Sequence, residues 1–111
     1  MENIYLIKLW DENESFFKIG TTVHRYCRFY EIIKSGYSVE IVYMLMGLDF
    51  YEALDSESEL QSMFKQYTPN RKFGGYTECF DNINVSKIKS YLNKRFQEPK
   101  EIVENIEITW H

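Results

Sequence analysis

A predominantly apolar stretch near the amino terminus, Asn3 to Trp10, constrains the fold more than any other feature. Its β-branched and aromatic side chains do not alternate with polar ones, which predicts a strand that is covered on both faces. The polar residues 11–15 predict a turn, and Phe16 to Gly20 predict the returning strand. The chain is therefore expected to be organised around a central β-hairpin.

Helical and extended patterns alternate after the hairpin. Apolar side chains at helical spacing predict a first helix over 23–35, with Thr21 or Thr22 as its N-cap. A strongly apolar run predicts a third strand over 37–47. The later elements are predicted to be a short extended piece over 76–80, a third helix over 85–96 capped by Asn84 or Ser86, and a last strand or arm over 101–110.

A second helix is predicted over 49–67, and one of its acids lies on its apolar side. That acid is Glu57, which falls within the apolar stripe. Ser56 and Glu59 resemble a capping box, which predicts a break near Asp55 and a regular helix from Ser56 onward. The apolar stripe is formed by Phe50, Leu54, Leu60 and Phe64. The acids expected to face solvent are Glu52, Asp55 and Glu59.

The composition fits one folded domain spanning residues 1–111. Hydrophobic residues make up 44% of the chain, which is enough for a real core and is the opposite of a disordered composition. The pattern predicts an α+β fold, in which a small mixed or antiparallel sheet of the hairpin plus a third strand is flanked by helices. No apolar run reaches the roughly 18 residues of a membrane span, so we expect a cytoplasmic protein without a membrane partner.

The net charge argues against binding of nucleic acid by broad charge attraction. Acids number 17 and bases 13, which gives a formal charge of −4. A small local basic site, or a site that needs a metal ion, is still compatible with this charge. Two modest basic groups lie near aromatic residues, and a solvated surface is the simpler interpretation of both: Lys65, Arg71 and Lys72, and then Lys87, Lys89, Lys94 and Arg95.

Glu57 is the residue whose position most needs an explanation. A carboxylate on an apolar stripe must be paired, protonated or bound to a metal ion. If the helix begins at Ser56, free backbone N–H groups and the helix dipole satisfy this carboxylate, and its role is structural. Otherwise it is a functional carboxylate, and the spacing alone leaves both interpretations open.

Tyr5, Lys18 and Arg28 also admit two interpretations. In the structural one they are a core tyrosine, a solvent lysine and a solvated arginine. In the functional one, a lysine beside Tyr5 lowers the pKa of the tyrosine by stabilising its phenolate, which can orient or deprotonate water. A guanidinium can clamp a phosphate, and one carboxylate can hold Mg²⁺ with most of its waters. Together with Glu57, these residue types form a one-metal set for phosphodiester hydrolysis.

The order of these residues resembles the GIY-YIG nuclease superfamily. Ile4-Tyr5, then Lys18-Ile19-Gly20, then Arg28 is similar to the branch, common in phages and restriction enzymes, whose second motif is KIG. Two later patterns resemble the glutamate helix and the GEWF-like segment of that branch: Glu57-x-x-Leu60-x-x-x-Phe64 and Thr77-Glu78-Cys79-Phe80. The resemblance covers residues 3–80 and leaves 81–111 as a C-terminal helix and tail.

The resemblance implies a divalent-metal endonuclease that cleaves DNA. Tyr5 corresponds to the tyrosine that activates the attacking water, and Arg28 to the arginine that stabilises the phosphate. Glu57 corresponds to the ligand of Mg²⁺ or Mn²⁺, and Lys18 stands where most members have a second tyrosine. The auxiliary candidates are His24 and either Asn82 or Asn84. Glu78 is interpreted as structural, closing a loop near the site.

Other partners and a second function are also compatible with the sequence. RNA cleavage would use the same site, and a homodimer joined through the 101–111 tail would allow a double-strand cut. The alternative function is a catalytically silent binding or regulatory module. The acidic charge favours it, whereas the presence of all four site residues counts against it. In an active site those four side chains should converge on one open cleft, whereas in a silent module Glu57 is buried in a salt bridge or the cleft is closed.

Overall fold

A computed structural model gives the fold and describes residues 1–109 of the chain. Within this range the chain forms five strands and three helices. In chain order these are β1 Glu2–Trp10, β2 Ser15–Thr22, α1 Cys27–Lys34, β3 Ser38–Leu48, α2 Phe50–Gln61, β4 Cys79–Phe80, α3 Val85–Arg95 and β5 Glu101–Ile108.

The described strands form one antiparallel sheet in the order β4-β2-β1-β3-β5. The predicted hairpin is confirmed, with Asn3 opposite Thr22 and Trp10 opposite Ser15. β1 is the central strand and is buried along most of its length, as its apolar pattern predicts. The α+β fold class is confirmed, and the sheet is antiparallel throughout.

Helices cover both faces of the sheet, so the fold has three layers. One face packs its buried residues, Tyr5 among them, against Phe29 of α1. The opposite face packs Leu6 against Leu60 of α2 and Leu92 of α3. The two helices that carry candidate site residues, α1 and α2, therefore lie on opposite sides of the hairpin.

α1 is shorter than the helix predicted over 23–35. The Oγ1 atom of Thr22 accepts a hydrogen bond from the backbone N–H of His24 at 3.2 Å and donates one to its carbonyl at 3.0 Å. These bonds favour a turn after β2, and the helix begins only at Cys27, without a side-chain cap. The prediction that Thr21 or Thr22 is the N-cap is wrong, because β2 continues to Thr22 and its hydroxyl holds the turn.

α2 is continuous, and the predicted break near Asp55 is wrong. Asp49 is the N-cap, and its carboxylate accepts a hydrogen bond from the backbone N–H of Glu52 at 3.1 Å. The helix is therefore already established at Ser56, and it ends at Gln61 rather than at 67. Its buried residues are Ala53, Ser56 and Leu60, whereas Phe50 and Leu54, which were predicted to lie in the apolar stripe, are exposed.

The C-terminal elements agree with their predictions. The side chain of Asn84 accepts from the backbone N–H of Lys87 at 3.0 Å and caps α3. The predicted last strand is β5, an edge of the sheet beside β3. Trp110, which the prediction included in this strand, lies outside the described residues. Over residues 1–109, no helix is long and apolar enough to cross a membrane.

Candidate active site

Tyr5 and Lys18 meet across the β1–β2 pair. Tyr5 lies opposite Gly20 and Ile7 lies opposite Lys18, so Tyr5 and Lys18 are diagonal neighbours on one face of the sheet. Gly20 leaves the space between them free, because a Cβ there would lie 2.4 Å from Tyr5 Oη and 2.8 Å from Lys18 Nζ. Lys18 Nζ donates a hydrogen bond of 2.7 Å to Tyr5 Oη.

Lys18 is a buried cation, and its interpretation as a solvent lysine is wrong. Only 1% of its surface is exposed. Its ammonium group also forms a salt bridge of 3.1 Å with Glu78 Oε2. Gly75, with φ of +85°, lets the loop before β4 pack against Lys18, since a Cβ there would lie 2.8 Å from Lys18 Cε. Glu78, at the end of the same loop, holds it against Lys18 through the salt bridge and supplies the counter-charge of the lysine.

The Tyr5–Lys18 pair is a neutral phenol beside an ammonium group at neutral pH. Burial raises the pKa of Tyr5 above its ordinary value of 10.0, and Lys18 opposes this rise without cancelling it. Burial lowers the pKa of Lys18, but Tyr5 and Glu78 together outweigh burial and raise it. The sequence predicts that Lys18 lowers the pKa of Tyr5. Lys18 does lower it, but burial raises it by more, so the pKa of Tyr5 is above its ordinary value.

Glu57 lies within electrostatic range of Lys18, although α2 packs on the opposite face of the sheet. β4 has only 2 residues and pairs with Phe17 and Lys18, so on the side away from β1 the strand β2 has no partner beyond Lys18 within the described sheet. α2 contacts this part of β2, where Gln61 Nε2 donates to the carbonyl of Ile19 at 2.8 Å. One turn earlier in α2, Glu57 lies beside Thr21, whose side chain and backbone lower the pKa of its carboxyl group.

The Glu57 carboxylate is poorly compensated. Burial and the nearby Glu78 carboxylate raise its pKa, whereas Lys18 and Thr21 lower it. It forms no salt bridge with any residue in the described range. Because α2 begins at Phe50, the interpretation of Glu57 as a helix N-terminal acid is wrong. The acids predicted to face away from it surround the Arg95 guanidinium instead, with Glu52, Asp55 and Glu59 at 2.7, 2.8 and 3.5 Å.

An open cleft of about 470 Å³ lies between the start of α1 and the start of α2. Arg28 and His24 line it, and the charge of Arg28 lowers the pKa of Tyr5, so the guanidinium is within electrostatic range of the buried pair. Tyr5, Lys18 and Glu57 are not part of the cleft lining. The expected convergence of all four side chains on one open cleft is therefore not met: Arg28 faces the cleft, whereas the other three lie outside its lining and are linked to one another through Lys18.

The auxiliary asparagines lie apart from this cleft. The carboxamide oxygen of Asn84 is occupied by its role as the cap of α3. Asn82 is exposed after β4. Neither residue lines the cleft, and no hydrogen bond within residues 1–109 joins either one to Tyr5, Lys18 or Glu57.

The charges around Glu57 fit a hard divalent cation held largely through water. Its pKa is raised, Glu78 adds a second carboxylate nearby, and a cation would relieve the repulsion between them. The described residues contain no group of three or more His, Cys, Asp or Glu side chains that could form a complete cage. Mg²⁺ keeps several waters and is commonly bound through one or two carboxylates, so a cage is not required.

Three residues beyond the predicted site residues shape this cluster. Glu78 pairs with Lys18, Thr21 binds Glu57, and Gly20 admits Tyr5. A signal for Gly20 was present in the hairpin, because a glycine directly opposite a large ring leaves room for that ring. The contacts of Glu78 and Thr21 depend on tertiary packing, for which the spacing offered no signal.

Comparison of the chain with protein-family models, with curated proteins and with solved structures found no match. The chemistry of the site is therefore argued from its own geometry and charges. Those are a buried tyrosine–lysine pair, an uncompensated carboxylate and an arginine at an open cleft.

Proposed function

We propose that this protein is a divalent-metal-dependent endonuclease of the GIY-YIG type that hydrolyses phosphodiester bonds in DNA. The observation that carries the proposal is the position of Lys18 between Tyr5 and Glu57, with Arg28 within electrostatic range of Tyr5. These four residues come from four different elements and include the groups that phosphodiester hydrolysis needs. The order of the sequence motifs supports the same assignment.

Arg28 is the residue suited to hold the phosphate. It is exposed, it lines the cleft, and within residues 1–109 no hydrogen bond or salt bridge engages its guanidinium. A planar guanidinium can donate two parallel hydrogen bonds to phosphate oxygens. Arg28 would therefore bind the substrate without first breaking an ion pair.

Tyr5 is the residue suited to orient the attacking water. Its oxygen accepts a hydrogen bond from Lys18, so its own O–H group must point elsewhere. Loss of that proton would leave a phenolate beside the ammonium group, which stabilises it. Lys18 thus keeps Tyr5 in place and offsets part of the rise that burial causes in the pKa of Tyr5.

Glu57 would hold Mg²⁺ or Mn²⁺, because Glu78 rather than Glu57 is the salt-bridge partner of Lys18. Glu78 pairs with Lys18, so the ammonium group is shared and does not neutralise Glu57. A bound ion would supply Lewis-acid polarisation of the phosphodiester and neutralise developing charge. The contribution of the chain is to hold one partly buried carboxylate without a salt-bridge partner among the described residues.

A cytoplasmic location and a DNA substrate belong to the same proposal, with RNA as the other substrate class. A homodimer would supply a second site for a double-strand cut. The edge strand β5 carries exposed Glu101, Glu104 and Glu107, and the first two of these acids are paired within the chain with Arg25 and Lys89. A dimer joined through the 101–111 tail stays part of the proposal.

The test is cleavage of supercoiled plasmid, single-stranded DNA and RNA, with Mg²⁺ or Mn²⁺ against EDTA. Wild type is compared with Glu57→Gln and with the matched control Glu59→Gln. We expect metal-dependent nicking that is slower by about 10³-fold in Glu57→Gln, since several kcal/mol of transition-state stabilisation are lost. Glu59→Gln should cut like wild type, because Glu59 faces Arg95 on the other side of α2.

The second candidate, a catalytically silent binding module, is favoured by the burial of the Tyr5–Lys18 pair, since each residue is 1% exposed. It predicts that wild type cuts no nucleic acid with any metal ion. Equal cleavage by wild type and Glu57→Gln would instead show that the site is assigned to the wrong carboxylate.

A further inference from the structure

The wall of the cleft formed by α2 is apolar and exposed. Phe50 and Leu54 line the cleft with 48% and 36% of their surfaces exposed. Tyr51 is 78% exposed and packs edge-to-face against Phe50, with ring centroids 5.3 Å apart. α2 thus leaves two aromatic rings at its start with little protein packed on them, although Ala53 and Leu60 of the same helix are fully buried.

The facing wall, from α1, is polar and carries an available cation. Arg28 of α1 and His24 of the turn before it line this wall, and Arg28 has no ion-pair partner in residues 1–109. The cleft therefore combines the exposed Phe50 ring and Leu54 on one side with a phosphate-binding group on the other. A nucleotide has this same combination, with a base that stacks on aromatic rings and a phosphate that pairs with arginine.

We propose that this cleft binds an unpaired nucleotide of a single-stranded nucleic acid, with its base on Phe50 and its phosphate on Arg28. The inference rests on the proposed function, since the bound strand is taken to be the substrate of the same site. It adds a substrate class, because a base can stack on the Phe50 ring only when it is not stacked within a duplex.

The charge of the protein favours a single strand over a duplex. Binding to duplex DNA relies on many cations that contact successive phosphates. Here the net charge is −4, and Glu2 and Glu31 also line the cleft. Three of the basic residues elsewhere are engaged by acids, in the pairs of Arg71 with Asp11, Lys89 with Glu104, and Arg95 with Glu52. Affinity must then come more from stacking than from charge.

The test measures binding without cleavage. Fluorescence anisotropy of a labelled mixed-sequence 12-mer is followed in EDTA, as single-stranded DNA, as the same sequence in duplex form, and as single-stranded RNA. Wild type is compared with Phe50→Ala and Met63→Ala. Met63 is the matched control, because it is a large hydrophobic residue with 36% of its surface exposed and it lies outside the cleft.

We expect the single strand to bind at least about tenfold tighter than the duplex, and Phe50→Ala to weaken binding by about 5- to 100-fold, since stacking carries most of the affinity. Met63→Ala should bind like wild type. The logarithmic salt dependence should be shallow, with a slope of about −0.7 to −1.4 for one or two phosphates. The DNA and RNA arms distinguish the two sources of an unpaired strand.

Three outcomes would overturn the inference: equal or tighter binding of the duplex, no binding of either single strand, or equal effects of Phe50→Ala and Met63→Ala. Thermal melting of each variant confirms that it is folded. Because EDTA prevents cleavage, the result is independent of the nuclease proposal. Phe50-dependent binding of a strand that is never cut would support this inference and refute the proposed hydrolysis.

Discussion

Two glutamates at opposite ends of β2 show how differently a partly buried carboxylate can be treated. Glu14, just before β2, accepts hydrogen bonds of 2.5 Å from the hydroxyls of both Tyr37 and Tyr67. Its two oxygens also accept from the backbone N–H of Asn70, at 3.3 and 3.1 Å. Glu57, beside the far end of β2, has no salt bridge within residues 1–109, and the Glu78 carboxylate raises its pKa while Lys18 and Thr21 lower it.

The difference separates a structural carboxylate from one that is available for chemistry. Glu14 has donors on both oxygens, so it joins the hairpin turn to the segment around Tyr67 and has little capacity left for an external ligand. Glu57 retains free acceptor capacity in a place where burial and repulsion raise its pKa. Native proteins tolerate such a local conflict mainly where a ligand resolves it.

The largest expected change in stability comes from removing Glu14, the carboxylate that accepts hydrogen bonds on both oxygens. Glu14→Ala should lower the free energy of unfolding by about 3 kcal/mol, because two tyrosine hydroxyls and a backbone N–H lose a charged acceptor together. Urea denaturation measures it, with Glu12→Ala, an exposed neighbour in the same turn, as the control. A loss equal to that of the control would show that the hydrogen bonds of Glu14 contribute nothing to stability.

A slightly smaller loss is expected from crowding the Tyr5–Lys18 contact. Gly20→Ala places a Cβ within 2.4 Å of Tyr5 Oη, which the packed ring cannot easily relieve, so we expect about 2 kcal/mol of destabilisation. Gly74→Ala is the control, since its nearest neighbour would be Glu31 Oε2 at 3.9 Å. If the two variants melt at the same temperature, the close packing of Tyr5 on Gly20 is not rigid.

Alkaline pH should weaken the Glu14 cluster selectively. Burial raises the pKa of Tyr37 to about 12, and the hydrogen bond to Glu14, the largest cause for Tyr67, raises its pKa to about 12 as well. A group whose pKa rises on folding stabilises the protein below its unfolded value, so this stability is present below pH 10 and is lost between pH 10 and 12.

The expected loss is about 1–2 kcal/mol for each tyrosine, measured by urea denaturation between pH 8 and 11.5. Tyr67→Phe should flatten the pH dependence, because phenylalanine has no proton to lose. An unchanged slope in that variant would assign the alkaline loss to the other buried tyrosines.

The contrast between the two glutamates also explains what the sequence could predict. The hairpin and the fold class follow from local patterns, and Glu57 stood out because its helical position conflicts with its charge. The role of Glu14 escaped prediction, since its tyrosine partners lie 23 and 53 residues away. The burial of Lys18 was not predicted for a similar reason. It depends on the contact with Tyr5 that Gly20 makes possible, and on the loop before β4, whose Glu78 pairs with Lys18.

The smallest expected effect has the opposite sign, and it tests whether Glu57 is retained at a cost in stability. An acid whose pKa is raised by folding favours the neutral form, so its ionisation at neutral pH destabilises the native state. Glu57→Gln removes that charge and should raise the free energy of unfolding by about 0.5–1 kcal/mol at pH 7 in EDTA. The gain should vanish below about pH 4, where wild-type Glu57 is protonated as well.

Glu59→Gln provides the comparison within the same helix. It weakens the contact with Tyr91 and Arg95 and should destabilise slightly under the same conditions. If Glu57→Gln also destabilises, then Glu57 is satisfied by its surroundings as Glu14 is. The distinction between a structural and an available carboxylate would then fail at the residue on which the nuclease proposal depends.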